Sequence, residues 1–561
     1  MNQLIECVPN FSEGCDMHLI KTITDEIEKI EGVRLLDVDP GKATNRTVVT
    51  FVGHPEAVLE AAFKAIKKAS EVIDMSRHKG EHPRFGGTDV CPLVPVSDIS
   101  MDETAALARK LAERVGNELE IPVYCYENAA FSEERRNLAN CRAGEYEGLP
   151  RKLADPHWKP DFGPSRFNPR TGAIAIGARD FLVAYNVNLN TTSTRRANAV
   201  AFDIREKGRP VREGNPFTGK IKKDEKGNEI WVPGALKACK AIGWFIEEYG
   251  IAQVSINLTN ISITSVHEAF EAACQKAQER GLRVTGSELV GLIPKRAMIA
   301  AGKYFLRKQQ RSVGVSEEEI IKIAVKSLGL DDLKPFNPKE KIIEYILENK
   351  KDKMLVSMTA EGFASETASE SPAPGGGSVS AYIGALGIAL GTMVANLSSH
   401  KPGWDDKWEV FSNWAEKGQR LKEELLFLVD EDTRAFNKIM DAFGLPKGTD
   451  EEKKRRSQAI SEATKYAIEV PFRTMKRGYE SFDIIEAMVE TGNPNSVSDA
   501  GVGALCIRSA VIGAWLNVRI NAAGLKDEAF LEKIMKEAGE IVAATKTREE
   551  KILLAVDTKI K

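Results

Sequence analysis

Two stretches of the chain gather the residue types that move protons. The first, RHKGEHPRFGGTDVCP at residues 77–92, sets His78 and His82 among Gly80, Pro83, Gly86 and Gly87. A loop of that composition can aim side chains into a cleft. His82 offers a proton affinity near neutral pH, so it can accept a proton and return it. His78 and His82 also stand four apart, the spacing of a helical metal pair, but Gly80 and Pro83 oppose a helix there. General base and plain structural or surface histidine both stay open on these residues alone. Just upstream, Asp37 and Asp39 close the segment LLDVDPG, and strand alternation puts both carboxylates on one face. One of them could cap the turn made by Pro40 and Gly41; the other reading is an acid that orients a histidine or holds a substrate amine.

The second stretch is helical. Leu425, Val429, Asp432, Phe436, Ile439 and Phe443 are spaced alternately by four and three, so Asp432 falls within an apolar stripe while Asp430 and Glu431 fall off it. An inward carboxylate is costly unless paired, protonated or used, and burial raises its proton affinity toward that of a general acid. A hydrogen bond to a neighbouring helix is the bland alternative. Asp499, in SVSDAGVGA, is a second inward candidate whose small neighbours leave room for a ligand. Between these stretches, PDFGPSRFNPRTGAIAIGARDF at 160–181 has the glycines and prolines that let backbone approach a flat ligand.

The elements that must position these groups follow from periodicity. Strands at 4–8, 33–38, 47–52, 90–96 and 122–126 alternate with helices at 16–30, 55–73 and 101–119, a β-α-β-β-α-β order that predicts helices on one face of a sheet. From about 173 to 330 the style repeats, with strands at 173–176, 181–189 and 253–258 and helices at 194–205 and 266–280. The stretch 205–233, rich in Lys, Arg, Gly and Pro, reads as an exposed excursion without chemistry. GLDDLKPFNPKEKIIEYILE looks like a junction, and after it the pattern is helical. The expected fold is multidomain: two α/β sandwich subdomains at 1–180 and 181–330, a linker at 331–350, and an all-helical domain at 351–561. The small and apolar run 378–397 predicts close helix packing; a membrane hairpin is the competing reading, opposed by the lack of a hydrophobic second leg.

A chain of 561 residues implies several cores. With Lys+Arg 78 against Asp+Glu 81, no charge excess points to nucleic acid or an anionic membrane. The eight cysteines form no CxxC pair, against a disulfide framework or zinc knuckle. The start MNQLIECVPNFSEG lacks a signal-peptide layout, and cytoplasmic residence is expected.

Residues 1–330 resemble the formiminotransferase family through ECVPNFSEG, HKGEHPRFGGTDVCP, HWKPDFGPS and GSELVGLIP, in that order and at similar separations. The resemblance implies two related α/β subdomains with a folate-binding cleft between them. It makes His82 the catalytic acid/base, favours Asp39 from the DVDPG motif, and places Gly163, Pro164, Ser165, Arg166, Phe167, Asn168, Pro169, Arg170, Thr171 and Gly172 in the folate site. The excursion 205–233 and NLNTTSTRRANAV depart from the animal members, so no role is carried to Arg195 or Arg196. The C-terminal region resembles the cyclodeaminase and methenyltetrahydrofolate cyclohydrolase family through APGGGSVSAY, VDEDTRAFN and NPNSVSDAGVGA. That likeness implies Asp432 as the acid, with Gly375, Gly376, Gly377, Ser378 and Asp499 binding folate. The joining segment is similar to that of the bifunctional members.

The resemblance implies transfer of a formimidoyl group from N-formimidoyl-L-glutamate to tetrahydrofolate, then cyclodeamination to 5,10-methenyltetrahydrofolate and ammonia, within histidine degradation. Two alternatives stand: a C-terminal cyclohydrolase, or a folate-binding or assembly module with one inactive half. Tetrahydrofolate, polyglutamylated, is expected as co-substrate, with no metal, no nucleic acid and no membrane. The family suggests a homo-oligomer, a ring-like octamer.

Overall fold

The computed structural model describes residues 3–41, 45–79, 84–214, 219–247, 249–347 and 355–560. These form two compact units, Met1–Ala301 with Leu328–Leu347, and Gly302–Ser327 with Glu348–Lys561.

The first unit holds two sheets. Strands β1 (Leu4–Cys7), β2 (Asn10–Phe11), β3 (Val33–Gly41), β4 (Arg46–Gly53), β5 (Thr88–Ser97), β6 (Val123–Glu127) and β7 (Ile174–Ala178) make a seven-stranded sheet. β1 and β2 lie between β4 and β5, antiparallel to both. β7 runs parallel between β5 and β6. Helices α1 (Met17–Glu28), α2 (Pro55–Val72) and α3 (Met101–Leu119) cover one face, packing on Ile5, Cys7, Phe51, Leu93, Val123, Cys125 and Ile176. Alternation sends Tyr124, Tyr126 and Ala175 to the other face, where they meet Phe85, Cys141, Leu149 and Leu153. The expected strand at 173–176 therefore belongs to the first sheet, not to the second subdomain.

The second sheet contains β8 (Val183–Leu189), β11 (Cys239–Ile246), β12 (Ile251–Leu258) and β13 (Val284–Val290), all antiparallel in the order β11-β12-β8-β13. Helices α4 (Thr194–Ile204) and α5 (Val266–Gln278) pack beside it, and Ser265 and Glu268 close a capping box at the start of α5. Chain order is again β-α-β-β-α-β. β11 and β13 are strands the periodicity did not predict. Among the described residues of the excursion after α4, β9 (Arg209–Pro210) pairs with β10 (Trp231–Val232), and isolated bridges join Arg212 to Ile221 and Lys223 to Glu229.

The segment expected as a linker at 331–350 is structured through Leu347. Ile342 and Ile343 are buried, the Ile293 amide donates to Lys341 O at 2.9 Å, and the Ile343 amide donates to Ile293 O at 3.1 Å. Buried isoleucines dock this segment onto the first unit.

The helical unit is built on α6 (Gly376–Ser399), α7 (Trp408–Gly444), α8 (Asp450–Thr491), α9 (Val497–Ala522) and α10 (Glu528–Ile560). α6 packs on α7 and α9, and α8 packs on the same two helices. Thr449 and Glu452 form a capping box that starts α8. The expectation that the apolar run at 378–397 has no hydrophobic counterpart is corrected here. Gly376–Ser399 and Pro494–Ala522 are both long and apolar enough to cross a membrane by length and composition. They lie against each other, with Ala385, Ile388, Ile507 and Val511 in one core.

Glu6 sits on β1 between the core-facing Ile5 and Cys7, 5 % exposed. Burial pushes its carboxyl up to about 7, opposed by Arg179 and reinforced by Glu344. A carboxyl raised on folding contributes its stability below its unfolded value of 4.5 and loses it as pH rises through the folded value. The first unit should thus lose about 3 kcal/mol across that window from this group alone, and Glu6→Gln should remove the loss. Urea unfolding of parent and variant at several pH values measures it. Identical pH profiles would refute the assignment.

Candidate functional site

Three of the sequence blocks singled out above meet at one end of the seven-stranded sheet. Asp89, at the start of β5, is fully buried. One of its oxygens takes Arg46 and Arg142, the latter at 2.8 Å; the other accepts the Phe85 amide at 3.1 Å. Arg46 also donates to Asn10 Oδ1 at 2.9 and 3.1 Å. An ionised carboxylate can be buried here because two guanidinium groups enclose it. Ser12 donates its hydroxyl to Gly86 O at 2.7 Å, and the Gly87 amide donates to Thr171 O at 2.9 Å. The ECVPNFSEG, histidine and 163–172 segments are thereby laced together.

Residues 80–83 lie outside the described residues, and His82 with them. Both flanks are held. Asn45 accepts the Gly14 amide and donates to Lys79 O, each at 2.9 Å. His78 Nε2 lies 2.8 Å from Asn45 O; a carbonyl only accepts, so Nε2 carries the proton. Nδ1 then accepts Arg84 Nε at 3.3 Å, while the Arg84 fork grips Glu147 at 2.8 and 3.0 Å. Both ring nitrogens of His78 are used, which makes it a strut.

Asp39 shares a row with Asn10: Asp39 stands opposite Val48, and Val48 opposite Asn10. Opposed residues share a sheet face, so Asp39 points to the side where Arg46 and Asn10 lie. A register shift between Leu35 and Asp37 leaves Asp37 and Asp39 on that common face. Partial burial and then the charge of Asp39 raise the Asp37 carboxyl above its usual range.

The segment 163–172 runs along the edge where β6 and β7 begin. Gly172 has φ +66°, and a Cβ there would lie 2.3 Å from Phe85 O, so only glycine fits. Phe167 rests on Tyr146 with ring centroids 5.5 Å apart, and Tyr146 donates to Pro169 O at 2.6 Å. Arg170 is tied to Glu71 O. Ser165, Arg166 and Asn168 are exposed, whereas Gly163, against Ile121, and Pro164 are half-buried. Among the described residues, Thr171 Oγ1 is buried without a hydrogen-bond partner.

In the helical unit, Asp432 of α7 faces the start of α6. Ser378 donates to Asp432 Oδ2 through its hydroxyl at 3.0 Å and to the carboxylate through its amide. A Cβ on Gly377 would stand 2.1 Å from Asp432 Oδ1. Gly375, Gly376 and Asp432 line one cavity of about 140 Å³ with Thr433, Ala467, Asn517 and Asn521. Burial raises the Asp432 carboxyl above its ordinary value, against the two Ser378 bonds that lower it. A carboxyl so placed can hold and deliver a proton to a group in the cavity.

Two expectations on this helix are corrected. Asp430 and Glu431 were placed off the inward stripe, yet they are 7 % and 6 % exposed, while Phe436 and Phe443 are 41 % and 51 % exposed. α7 is covered on more than one side, so Asp430 accepts the Leu355 amide at 2.8 Å and Glu431 takes Tyr466 and Arg434. Toward its C-terminus the helix emerges from cover. Asp499 is not among the residues lining the Asp432 cavity. It stands in the first turn of α9, about 27 Å along the helix from Asn517 at 1.5 Å per residue.

Sequence reasoning missed Asn10, Asn45, Arg46, Asp89 and Arg142 in the first unit, and Asn517 and Asn521 in the second. A signal existed for the last pair: WLNVRINAA sets two carboxamides four apart on an apolar helix.

Three family profiles match the chain: "Formiminotransferase domain, N-terminal subdomain" at residues 4–179, "Formiminotransferase domain" at 184–348, and "Formiminotransferase-cyclodeaminase" at 359–540. A formimidoyltransferase-cyclodeaminase of Gallus gallus is 44 % identical over 94 % of this chain and 94 % of its own length. A glutamate formimidoyltransferase of Streptococcus pyogenes is 41 % identical over 55 % of this chain and 94 % of its own. A methenyltetrahydrofolate cyclohydrolase of Methylorubrum extorquens is 39 % identical over 36 % of this chain and 97 % of its own.

The raised Asp432 carboxyl has a thermodynamic sign. It holds its proton more tightly folded than unfolded, so its stability contribution is present below 3.8 and is lost as pH rises through the folded value. Asp432→Asn, of the same shape and unable to ionise, should melt at or above the parent temperature at neutral pH, with the gap closing toward pH of about 4. Calorimetry of both proteins reads this directly, and a variant melting well below the parent at neutral pH would contradict it.

Proposed function

The chain belongs to the formimidoyltransferase-cyclodeaminase family, and on that premise we propose how its two units divide consecutive steps on one folate. The first unit transfers the formimidoyl group from N-formimidoyl-L-glutamate to tetrahydrofolate. The helical unit converts 5-formimidoyltetrahydrofolate into 5,10-methenyltetrahydrofolate and ammonia, a sequence that belongs to histidine degradation.

In the first step the folate N5 attacks the amidine carbon while His82 takes its proton; His82 then gives a proton to the departing glutamate nitrogen as the tetrahedral intermediate collapses. Asp39 assists from the same sheet face as Asn10 and Arg46. The 163–172 segment lies against the pterin and aminobenzoyl rings, with exposed Arg166 available to a folate carboxylate. In the second step N10 attacks the same carbon and loses its proton, and Asp432 delivers a proton to the amine that leaves as ammonia. The observation that carries this step is the Asp432 carboxyl, seated over Gly377 in a small cavity and raised in proton affinity by burial. Both steps are proton transfers around an amidine carbon and close without a metal.

The folate is taken to be polyglutamylated and the protein to be a cytoplasmic homo-oligomer. Exposed Leu386, Met393 and Leu397 on α6 and Val502, Leu505 and Leu516 on α9 support self-association of the helical unit. The second reading, a helical unit that hydrolyses methenyltetrahydrofolate, draws on the cyclohydrolase relative. Fast loss of methenyl absorbance from added 5,10-methenyltetrahydrofolate would establish it.

His82→Ala should slow formimidoyl transfer by about 10²- to 10⁴-fold and leave ammonia release from supplied 5-formimidoyltetrahydrofolate intact. Near-normal transfer would return His82 to a structural role. Asp432→Asn should slow ammonia release by a factor on the order of 10² or more and let 5-formimidoyltetrahydrofolate accumulate. If its folded fraction releases ammonia at the parent rate, the acid lies elsewhere.

A further inference from the structure

The cavity in front of Asp432 has an unusual polar balance. Among the described residues its lining includes no lysine, arginine or histidine. The polar groups are the Asp432 carboxylate, the Thr433 hydroxyl and the carboxamides of Asn517 and Asn521 on α9. The two asparagines stand four apart and so share a helix face. Each amide nitrogen spends one of its two N–H groups inside the fold: Asn517 Nδ2 donates to Gly513 O at 2.9 Å, and Asn521 Nδ2 donates to Ala467 O at 2.7 Å. Both partners are carbonyls, which only accept, so the orientation of each carboxamide is fixed by its bond. Each carbonyl oxygen is left as an acceptor, and among the described residues no hydrogen-bond donor is recorded to either.

We propose that Asn517 and Asn521 are specificity-determining residues of the helical unit, whose carbonyl oxygens hold the N–H groups of the formimidoyl amidinium beside Asp432. This rests on the two-step reading above. A formimidoyl group on N5 is an amidine; its conjugate acid carries a positive charge and several N–H donors. A cavity whose described lining carries a carboxylate, two carboxamide oxygens and no cationic side chain is complementary to that group. The methenyl ring that a hydrolase would take has no N–H on its reacting carbon, so it would leave both acceptors unpaired, and a site built to bond N–H groups rejects a substrate lacking them. The pair thereby biases the site toward loss of ammonia and against water attack on the product. During the reaction the carbon–amine bond breaks, the N10–carbon bond forms, the N10 proton leaves by way of Asp432 to the amine, and the positive charge passes from amidinium to methenyl ring. Charge and protons balance with no further reactant.

A structural role would rest on the donor side of each carboxamide, the proposed role on the acceptor side, and the two can be separated. Asn517→Leu removes both; Asn517→Asp keeps an acceptor and loses the donor. The assay compares kcat/KM for ammonia release from 5-formimidoyltetrahydrofolate with kcat/KM for hydrolysis of 5,10-methenyltetrahydrofolate, on full-length protein, with melting temperature as the folding control. Asn517→Leu and Asn521→Leu should each lower the first value about 10- to 100-fold, chiefly through KM, and leave the second unchanged or higher. Asn517→Asp should stay within a few-fold of the parent. If the Leu and Asp variants at 517 fall equally, or if both substrates lose in proportion, the residues are structural and the assignment is overturned. A parent that releases no ammonia from 5-formimidoyltetrahydrofolate overturns the two-step reading itself, and this assignment with it.

Discussion

The Asp432 carboxylate occupies the place a side chain on residue 377 would fill. Everything else in the helical site is arranged around that contact. α6 must begin at this point so that the Ser378 amide and hydroxyl meet the carboxylate. Residue 377, in the first turn of α6, must be glycine to let α7 come close, and α9 must run past so that Asn517 packs on Gly376. The helix N-terminus favours the ionised form, burial favours the protonated one, and burial dominates. A group balanced between these influences changes its protonation easily when a ligand alters either.

The first unit solves a different problem. The segments proposed for its chemistry join regular elements, and such segments need anchorage from residues outside them. Asp89 with its two arginines, Asn45 with its three contacts and His78 with both nitrogens engaged supply that anchorage. The carboxylate is the costliest of these to isolate, since removing one arginine would leave it partly unpaired below the sheet.

Much of this was legible beforehand. Helix periods and caps placed α1, α2, α3 and α5 closely, and the family resemblance singled out the 163–172 segment and the glycines before Ser378. β11 escaped because Ile242 and Trp244, on its solvent side, are as apolar as the inward Ala241, which erases the two-residue period. β13, VTGSELV, reads as a turn, and only its pairing with β8 makes it a strand. Asp430 and Glu431 were misplaced because a single stripe describes a helix with one buried face, and α7 has more than one. Asp89 could not be ranked at all: its partners Arg46 and Arg142 are 43 and 53 residues away, and nothing local announces such a pairing.

The path of the chain between residues 301 and 348 has a genetic consequence. Gly302–Ser327 is grouped with the helical unit, and the chain then returns to the first unit for Leu328–Leu347 before continuing into the helices. The polypeptide therefore crosses from one unit to the other three times. No single scission in this interval yields both parts whole: a break before 302 strands the docking segment with its buried Ile342 on the wrong fragment, and a break after 347 does the same to 302–327. A gene truncated at one point in this interval therefore leaves a segment of one unit on the fragment of the other.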